Sequence, residues 1–192
     1  MSAPLSAKFD GALGFASTLH RQQVRKGSGV PYVAHLLAVA SIALEHGADE
    51  EEAIAALLHD SIEDQSNGNP EGLKNRIRKN FGEKVLAIVE GCTDAETIPK
   101  PPWRERKEQY IAHLAVASPS VLLVSASDKL HNARSILSDL LTVGAEVWSR
   151  FKGGRDGTLW YYRALVAAFE ARGRSALTDE LHRVVTEIEL RA

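Results

Sequence analysis

The segment AIAALLHDSIED, residues 53–64, is apolar for six residues and then turns abruptly ionisable. A helix that is apolar on nearly every side is buried, so this stretch predicts a helix running through the middle of a packed core. It delivers an imidazole and three carboxylates: His59 and Asp60, then Glu63 and Asp64, each four residues beyond its predecessor and therefore on neighbouring faces. Burying that many ionisable groups is costly without a compensating cation. A divalent metal is the simplest compensation.

Outward from this segment the chain reads as helix after helix. Asp49 caps the helix that carries it, with Glu52 completing a capping box. Upstream, a helix from about Pro31 to His46 places Val33, Leu36, Leu37, Ala40 and Leu44 inward and ends at Gly47. Before that, apolar spacing from Phe9 through Leu13, Phe15, Ala16 and Leu19 predicts a first helix that stops near Gly-Ser-Gly at 27–29.

Downstream, the Gln-Ser-Asn-Gly-Asn-Pro run at 65–70 is a loop. Two short helices split near Gly82 follow, with Leu73, Ile77, Phe81, Val85, Leu86 and Val89 as their core. Pro99, Pro101 and Pro102 mark a surface connection. Further helices are expected at about Trp103–Ala117, at Pro119–Leu141, near Glu146 up to Gly153 and Gly154, at Thr158–Ala171 and at Ala176–Leu190. VLLV at 121–124 resembles a strand in isolation, but its continuation into DKLHNARSILSDLL has helical spacing. The strand–helix alternation of a Rossmann or barrel fold is missing, as is any repeat. The prediction is an all-α single domain spanning residues 1–192, a bundle of roughly eight to ten helices.

Composition agrees without deciding anything alone. The 192 residues suffice for one core, and 44% hydrophobic with 25% charged residues is ordinary for a folded protein. A net charge of −2 provides no field for a nucleic-acid polymer, so a small phosphorylated ligand fits better. Cys92 is the only cysteine, which rules out an intrachain disulfide framework and a multi-thiolate zinc site. Met1–Asp10 has no signal-peptide core and no stretch reaches the ~18 apolar residues of a membrane span. The expectation is a cytoplasmic protein with no membrane association.

A lone histidine such as His59 is more often a hydrogen-bonded core residue than a ligand. Here His35 interrupts one apolar helix and Asp128 another, so three predicted core helices each carry a ligand-type intrusion. Two imidazoles and two carboxylates make a mixed nitrogen and oxygen set suited to one divalent metal, Mn²⁺ or a similar first-row ion. Four other aromatic residues, Trp148, Trp160, Tyr161 and Tyr162, are candidates to flank a base, although helical spacing favours core packing. Lys152 and Arg155, beside Gly153 and Gly154, are candidates for distal phosphates. His20 and His131 are read as structural.

The order His35, His59 with Asp60, and Asp128 resembles the H…HD…D pattern of the HD superfamily. The phrases HRQQVRKGSGVPYVAH (20–35), AALLHDSIED (55–64), FGEKVLAIVEGCTD (81–94) and SDKLHNARSI (127–136) narrow the resemblance. They are similar to the hydrolase domain of the RelA/SpoT family, especially its free-standing small alarmone hydrolases, over residues 8–170, with a further packing helix at about 174–191.

The resemblance implies an enzyme that removes the 3′-pyrophosphate of guanosine tetra- or pentaphosphate, giving GDP or GTP and pyrophosphate, usually with Mn²⁺. It implies His35, His59, Asp60 and Asp128 as metal ligands and Glu63 with Asp64 as the catalytic acidic pair. It implies Arg25, Lys26 and Tyr32 around the purine and ribose, with Asn132 and Ser135 on the far wall. SASD at 125–128 departs from the family's KLAD and puts detail near Ser125 and Ser127 in question. The chain ends about where a hydrolase domain would, so no synthetase activity is expected.

Competing readings are a phosphohydrolase of related nucleotides, such as adenosine alarmones, NADPH, dNTP or NMP, and a catalytically silent nucleotide-binding module. The second would be expected to lack a ligand or an acidic partner.

Overall fold

Helix starts are set by side chains that accept from otherwise unpaired backbone N–H groups. Ser6 accepts from Lys8 N, Asn69 from Gly72 N and Ser118 from Val121 N, and Asp49 with Glu52 and Ser175 with Thr178 form reciprocal boxes. Pro70 and Pro119 follow two of these caps, where a missing N–H costs nothing.

The computed structural model describes residues 4–94 and 101–192, so Pro99 lies outside the described residues. The helices in order are α1 (Ala7–Leu19), α2 (Val33–Glu45), α3 (Glu50–Leu58), α4 (Ser61–Gln65), α5 (Pro70–Phe81) and α6 (Glu83–Cys92). Then come α7 (Trp103–Leu114), α8 (Pro119–Val143), a 3₁₀ segment (Gly144–Arg150), α9 (Gly154–Arg172) and α10 (Ala176–Arg191). Among the described residues there is no β-strand, only an isolated bridge between Val24 and Pro31. The all-α expectation holds, and VLLV at 121–124 is helical.

Several expected boundaries change. The first helix ends at Leu19, well before Gly27. Residues 20–32 form a hairpin-like loop closed by Arg25 N to Val30 O (2.8 Å) and Tyr32 N to Gln23 O (2.9 Å). Gly27 (φ +83°) and Gly29 (φ +69°) provide its left-handed turns. Leu37, expected inside, is exposed, and α2 instead buries His35, Leu36, Val39, Ala40, Ile42 and Ala43. The helix from Trp103 stops at Leu114, where Arg172 caps the carbonyls of Leu114 (3.2 Å), Ala115 and Ala117 (3.1 Å). The short helix near Glu146 is of 3₁₀ type.

The largest departure lies within 53–64 itself. One continuous helix was expected, but the chain breaks into α3 and α4 at His59 and Asp60. Asp60 sits at φ −95°, ψ 0°, in the sparsely allowed bridge region where turn and active-site residues collect. His59 Nδ1 hydrogen-bonds to Ala56 O at 2.8 Å, three residues back.

Two apolar clusters make up the interior. One joins α1, α2, α3, α5 and α6 to Val121 and Val124 at the start of α8. The other joins α7, α9 and α10 to Ala126, Leu130, Ala133, Ile136 and Leu140 further along α8. The 25-residue α8 is therefore the shared wall, and Asp128 lies on it just beyond the junction.

Close approach of α6 to α8 depends on Gly91, since a Cβ there would stand 2.5 Å from Val121 Cγ2. Val121 is buried and β-branched, so it cannot swing away. The overlap outweighs the ~1 kcal/mol of helix propensity that alanine would add. Gly91→Ala is expected to destabilise the protein by about 1–3 kcal/mol in urea unfolding. Val121→Ala should cost less in the Gly91→Ala background than alone; equal costs would show that the contact is not limiting.

Candidate active site

The break between α3 and α4 turns His59 and Asp60 toward α2 and α8. His35 Nε2 lies 3.2 Å from Asp128 Oδ1 and 3.5 Å from Asp60 Oδ2. His59 Nε2 lies 3.0 Å from Asp60 Oδ2 and 3.6 Å from Asp128 Oδ1. The ligand-type atoms of His35, His59 and Asp128 all fall within 4.8 Å of one another, and all three residues are buried. Tyr32 donates its hydroxyl to Asp60 Oδ2 at 2.5 Å; burial and Asp60 push that hydroxyl's pKa up, so it stays a donor.

Ring orientation favours a cation. His59 Nδ1 faces a carbonyl, which can only accept, so Nδ1 carries the hydrogen and Nε2 is left toward the carboxylates. Nε2 is buried with no hydrogen-bond partner among the described residues. His35 Nδ1 is occupied by His131 Nδ1 at 2.7 Å. Burial, followed by the nearby His35 and Arg25, lowers the His131 pKa to about 4, which keeps that ring neutral and able to accept.

Burial alone would raise the carboxyl pKa values. His59 beside Asp60, and Lys129 beside Asp128, outweigh it and hold both well below the usual range. Burial would likewise lower His59, but the two carboxylates raise it well above its ordinary value. The cluster thus calls for positive charge, and its nitrogen and oxygen donors suit a divalent ion. Cys92 is no competitor, because burial pushes its thiol up to about 11.

The cluster floors a cleft of about 860 Å³. Of the residues that the family resemblance assigns to metal, catalysis or the purine and ribose, all but His59 line it. Glu63 and Asp64 stand on α4 just past the cluster. Asp64 Oδ2 accepts from Gln23 Nε2 at 2.7 Å, and Glu63 Oε2 lies 3.4 Å from Asp94 N. Arg25 Nη2 donates to Asn132 Oδ1 at 2.9 Å, tying the 20–32 loop to α8. Ser135 donates to His131 O at 3.0 Å, and Lys26 stands on the loop side of the cleft.

Other expectations divide. Tyr161, Tyr162 and Lys152 line the cleft, whereas Trp148 and Trp160 do not. Arg155 is also outside it: its guanidinium reaches Ala192 O at 3.0 Å and Asp156, because α9 begins at Gly154 and turns it toward the chain end. His20 is structural, hydrogen-bonded to Gln23 at 2.6 Å and stacked on Tyr32. Ser125 and Ser127 face the interior, bonded to Tyr110 and to Leu123 O, and neither lines the cleft.

Sequence reasoning missed Asp94, Trp103, Arg106, Lys107 and Lys129, all of which line the cleft. The run WRERKEQY reads as a solvated surface, yet Arg106, Tyr110 and Leu114 recur at i, i+4 and i+8 and are all buried. That spacing was the available signal.

The HD domain family model matches residues 12–159. The guanosine-3′,5′-bis(diphosphate) 3′-pyrophosphohydrolase MESH1 of Mus musculus is 40% identical over 129 residues, covering 65% of this chain and 67% of that protein. The MESH1 of Homo sapiens is 38% identical over 145 residues, covering 73% and 74%. The solved structure of a metazoan ortholog of SpoT, described as hydrolysing ppGpp and acting in starvation responses, superposes with a TM-score of 0.78 at 29% identity. That superposition covers 97% of this chain and 98% of the other. The chain belongs to the HD domain family, in the branch that includes the MESH1 hydrolases.

Proposed function

We propose that this protein is a metal-dependent hydrolase of guanosine tetra- and pentaphosphate that releases the 3′-pyrophosphate and leaves GDP or GTP. The observation that carries this reading is the convergence of His35, His59, Asp60 and Asp128 in one cluster at the cleft that Glu63 and Asp64 line. The MESH1 relatives named for this activity support it.

His35, His59, Asp60 and Asp128 would hold the metal, with Mn²⁺ the ion assigned in this reading; a divalent ion polarises a phosphoryl oxygen and lowers the pKa of bound water. Water attacks the ester phosphorus at O3′, the P–O3′ bond breaks, and O3′ takes a proton as pyrophosphate departs. Glu63 and Asp64 handle the water's proton, with Gln23 holding Asp64 in place. Tyr32 fixes Asp60, and the Arg25–Asn132 link braces the nucleoside side, where Lys26 and Ser135 add polar contacts. Lys152, Tyr161 and Tyr162 line the same cleft.

The reading places the enzyme in the cytoplasm as a single domain over residues 1–192. Among the described residues no helix is long and apolar enough to cross a membrane.

Chelation should abolish pyrophosphate release from guanosine tetraphosphate and added Mn²⁺ should restore it, as read by anion-exchange analysis of the products; full activity in chelator would refute the metal assignment. Asp60→Ala should lose bound metal and turnover together. Glu63→Gln should keep the metal, measured by elemental analysis, while kcat falls by roughly 10²–10³-fold. A Glu63→Gln protein at the wild-type rate would remove Glu63 from the mechanism.

A further inference from the structure

Gln23 donates from Nε2 to Asp64 Oδ2 at 2.7 Å, and its other end is held twice. Oε1 stands 2.6 Å from His20 Nδ1 and accepts from Gln65 Nε2 at 2.5 Å. A glutamine amide is nearly symmetric in shape but opposite in polarity at its two ends, and its last torsion has a broad two-fold profile. Partners therefore decide which end faces Asp64. An ionised carboxylate only accepts, so it takes the N–H end, and His20 must then donate to Oε1 from Nδ1.

His20 is built for that task. It is buried, lies outside the cleft, and stacks on Tyr32 with ring centres 5.4 Å apart and planes 16° from parallel. Its Nε2 is buried without a hydrogen-bond partner among the described residues. An orphaned N–H at that position would cost more than an orphaned lone pair, so the ring hydrogen belongs on Nδ1. Burial lowers the His20 pKa more than the Gln23 contact raises it, which keeps the ring neutral with that one hydrogen. The backbone holds the same arrangement: His20 O accepts from Gln23 N, and Gln23 O from Tyr32 N, each at 2.9 Å. A reversed Gln23 amide would set Nε2 against the His20 donor and Oε1 against Asp64. Gln65 alone does not prevent that reversal, because its own amide can turn over in step.

We infer that His20 is a positioning residue for the hydrolysis: by donating from Nδ1 to Gln23 it locks the amide whose other end aims the Asp64 carboxylate. The inference rests on the proposed hydrolase reading and deepens it. The imidazole acts only through Gln23. Without it the amide is free to turn Oε1 toward Asp64, and the carboxylate is pushed from the place where it handles the water's proton. Misplacing a catalytic group slows the chemical step far more than it weakens substrate binding.

Ring-nitrogen NMR of wild type loaded with diamagnetic Zn²⁺ should show the His20 hydrogen on Nδ1; a hydrogen on Nε2 overturns the assignment without any variant. In pyrophosphate release from guanosine tetraphosphate with Mn²⁺, His20→Leu should lower kcat by at least about 10-fold, with KM within about 3-fold of wild type and metal content unchanged. His20→Asn, whose side-chain N–H replaces Nδ1, should keep kcat within about 3-fold of wild type. Gln23→Leu should be slowed as much as His20→Leu, and combining the two should cost no further rate, since both break one chain of contacts. Wild-type kcat in His20→Leu or Gln23→Leu, equal slowing in His20→Asn and His20→Leu, or multiplying losses in the double variant each overturns the role. Should His20→Leu fail to fold, the ring spectrum and Gln23→Leu decide: Nδ1–H together with a slowed Gln23→Leu supports it, and either one missing overturns it. If wild type releases no pyrophosphate, the hydrolase reading fails and the positioning role with it, whereas an unslowed His20→Leu beside an active wild type removes the positioning role alone.

Discussion

Two ionised carboxylates and two imidazoles are packed where the apolar clusters on either side of α8 meet, and neutralising that charge is the constraint on which the rest of the structure depends. Asp60 and Asp128 stay ionised despite burial because His59 and Lys129 adjoin them. Removing a single member would leave an uncompensated buried charge, which costs several kcal/mol. The surroundings are arranged to prevent this. Tyr32 donates to Asp60, Asn132 and Lys129 donate to Asp128, His131 occupies the back of His35, and Ala56 O occupies the back of His59. Each imidazole thus turns Nε2 to the centre because Nδ1 is already bonded.

The helical scaffold follows from the same requirement. The helix carrying His59 must be apolar all round to run through the interior, yet it must also release Asp60 toward Tyr32 and His35. A straight helix would keep His59 and Asp60 about 100° apart around one axis. The break between α3 and α4 lets both side chains reach a common point. The long α8 supplies Asp128, Lys129, His131, Asn132 and Ser135 from one rigid element, so a single helix orders groups on both sides of the cluster.

Much of the fold was legible because its signals are local. Capping residues, glycine at Gly47 and Gly82, and apolar spacing located most helices to within a few residues. The boundaries that moved were those set by distant partners. The first helix ends early because residues 20–32 are held by their own bridge and by contacts to α4 and α8, and α7 ends where Arg172 captures its last carbonyls. Arg155 was misplaced because adjacency to Gly153 and Gly154 does not reveal which face of α9 it occupies, whereas Arg106 and Lys107 were overlooked inside a run of charges.

The sequence by itself determined that this is a helical protein with ligand-type side chains intruding into separate apolar helices, and it determined which four residues those are. Periodicity and polarity mismatch are properties of the chain alone, so they survive without coordinates. Only the tertiary structure decided that Asp60 leaves the helix axis, that His59 is a donor at Nδ1, and that Asp128 divides its oxygens between the imidazole side and Lys129. These depend on how α2, α3, α7 and α8 cross, and crossing geometry is a property of packed surfaces that no single segment encodes.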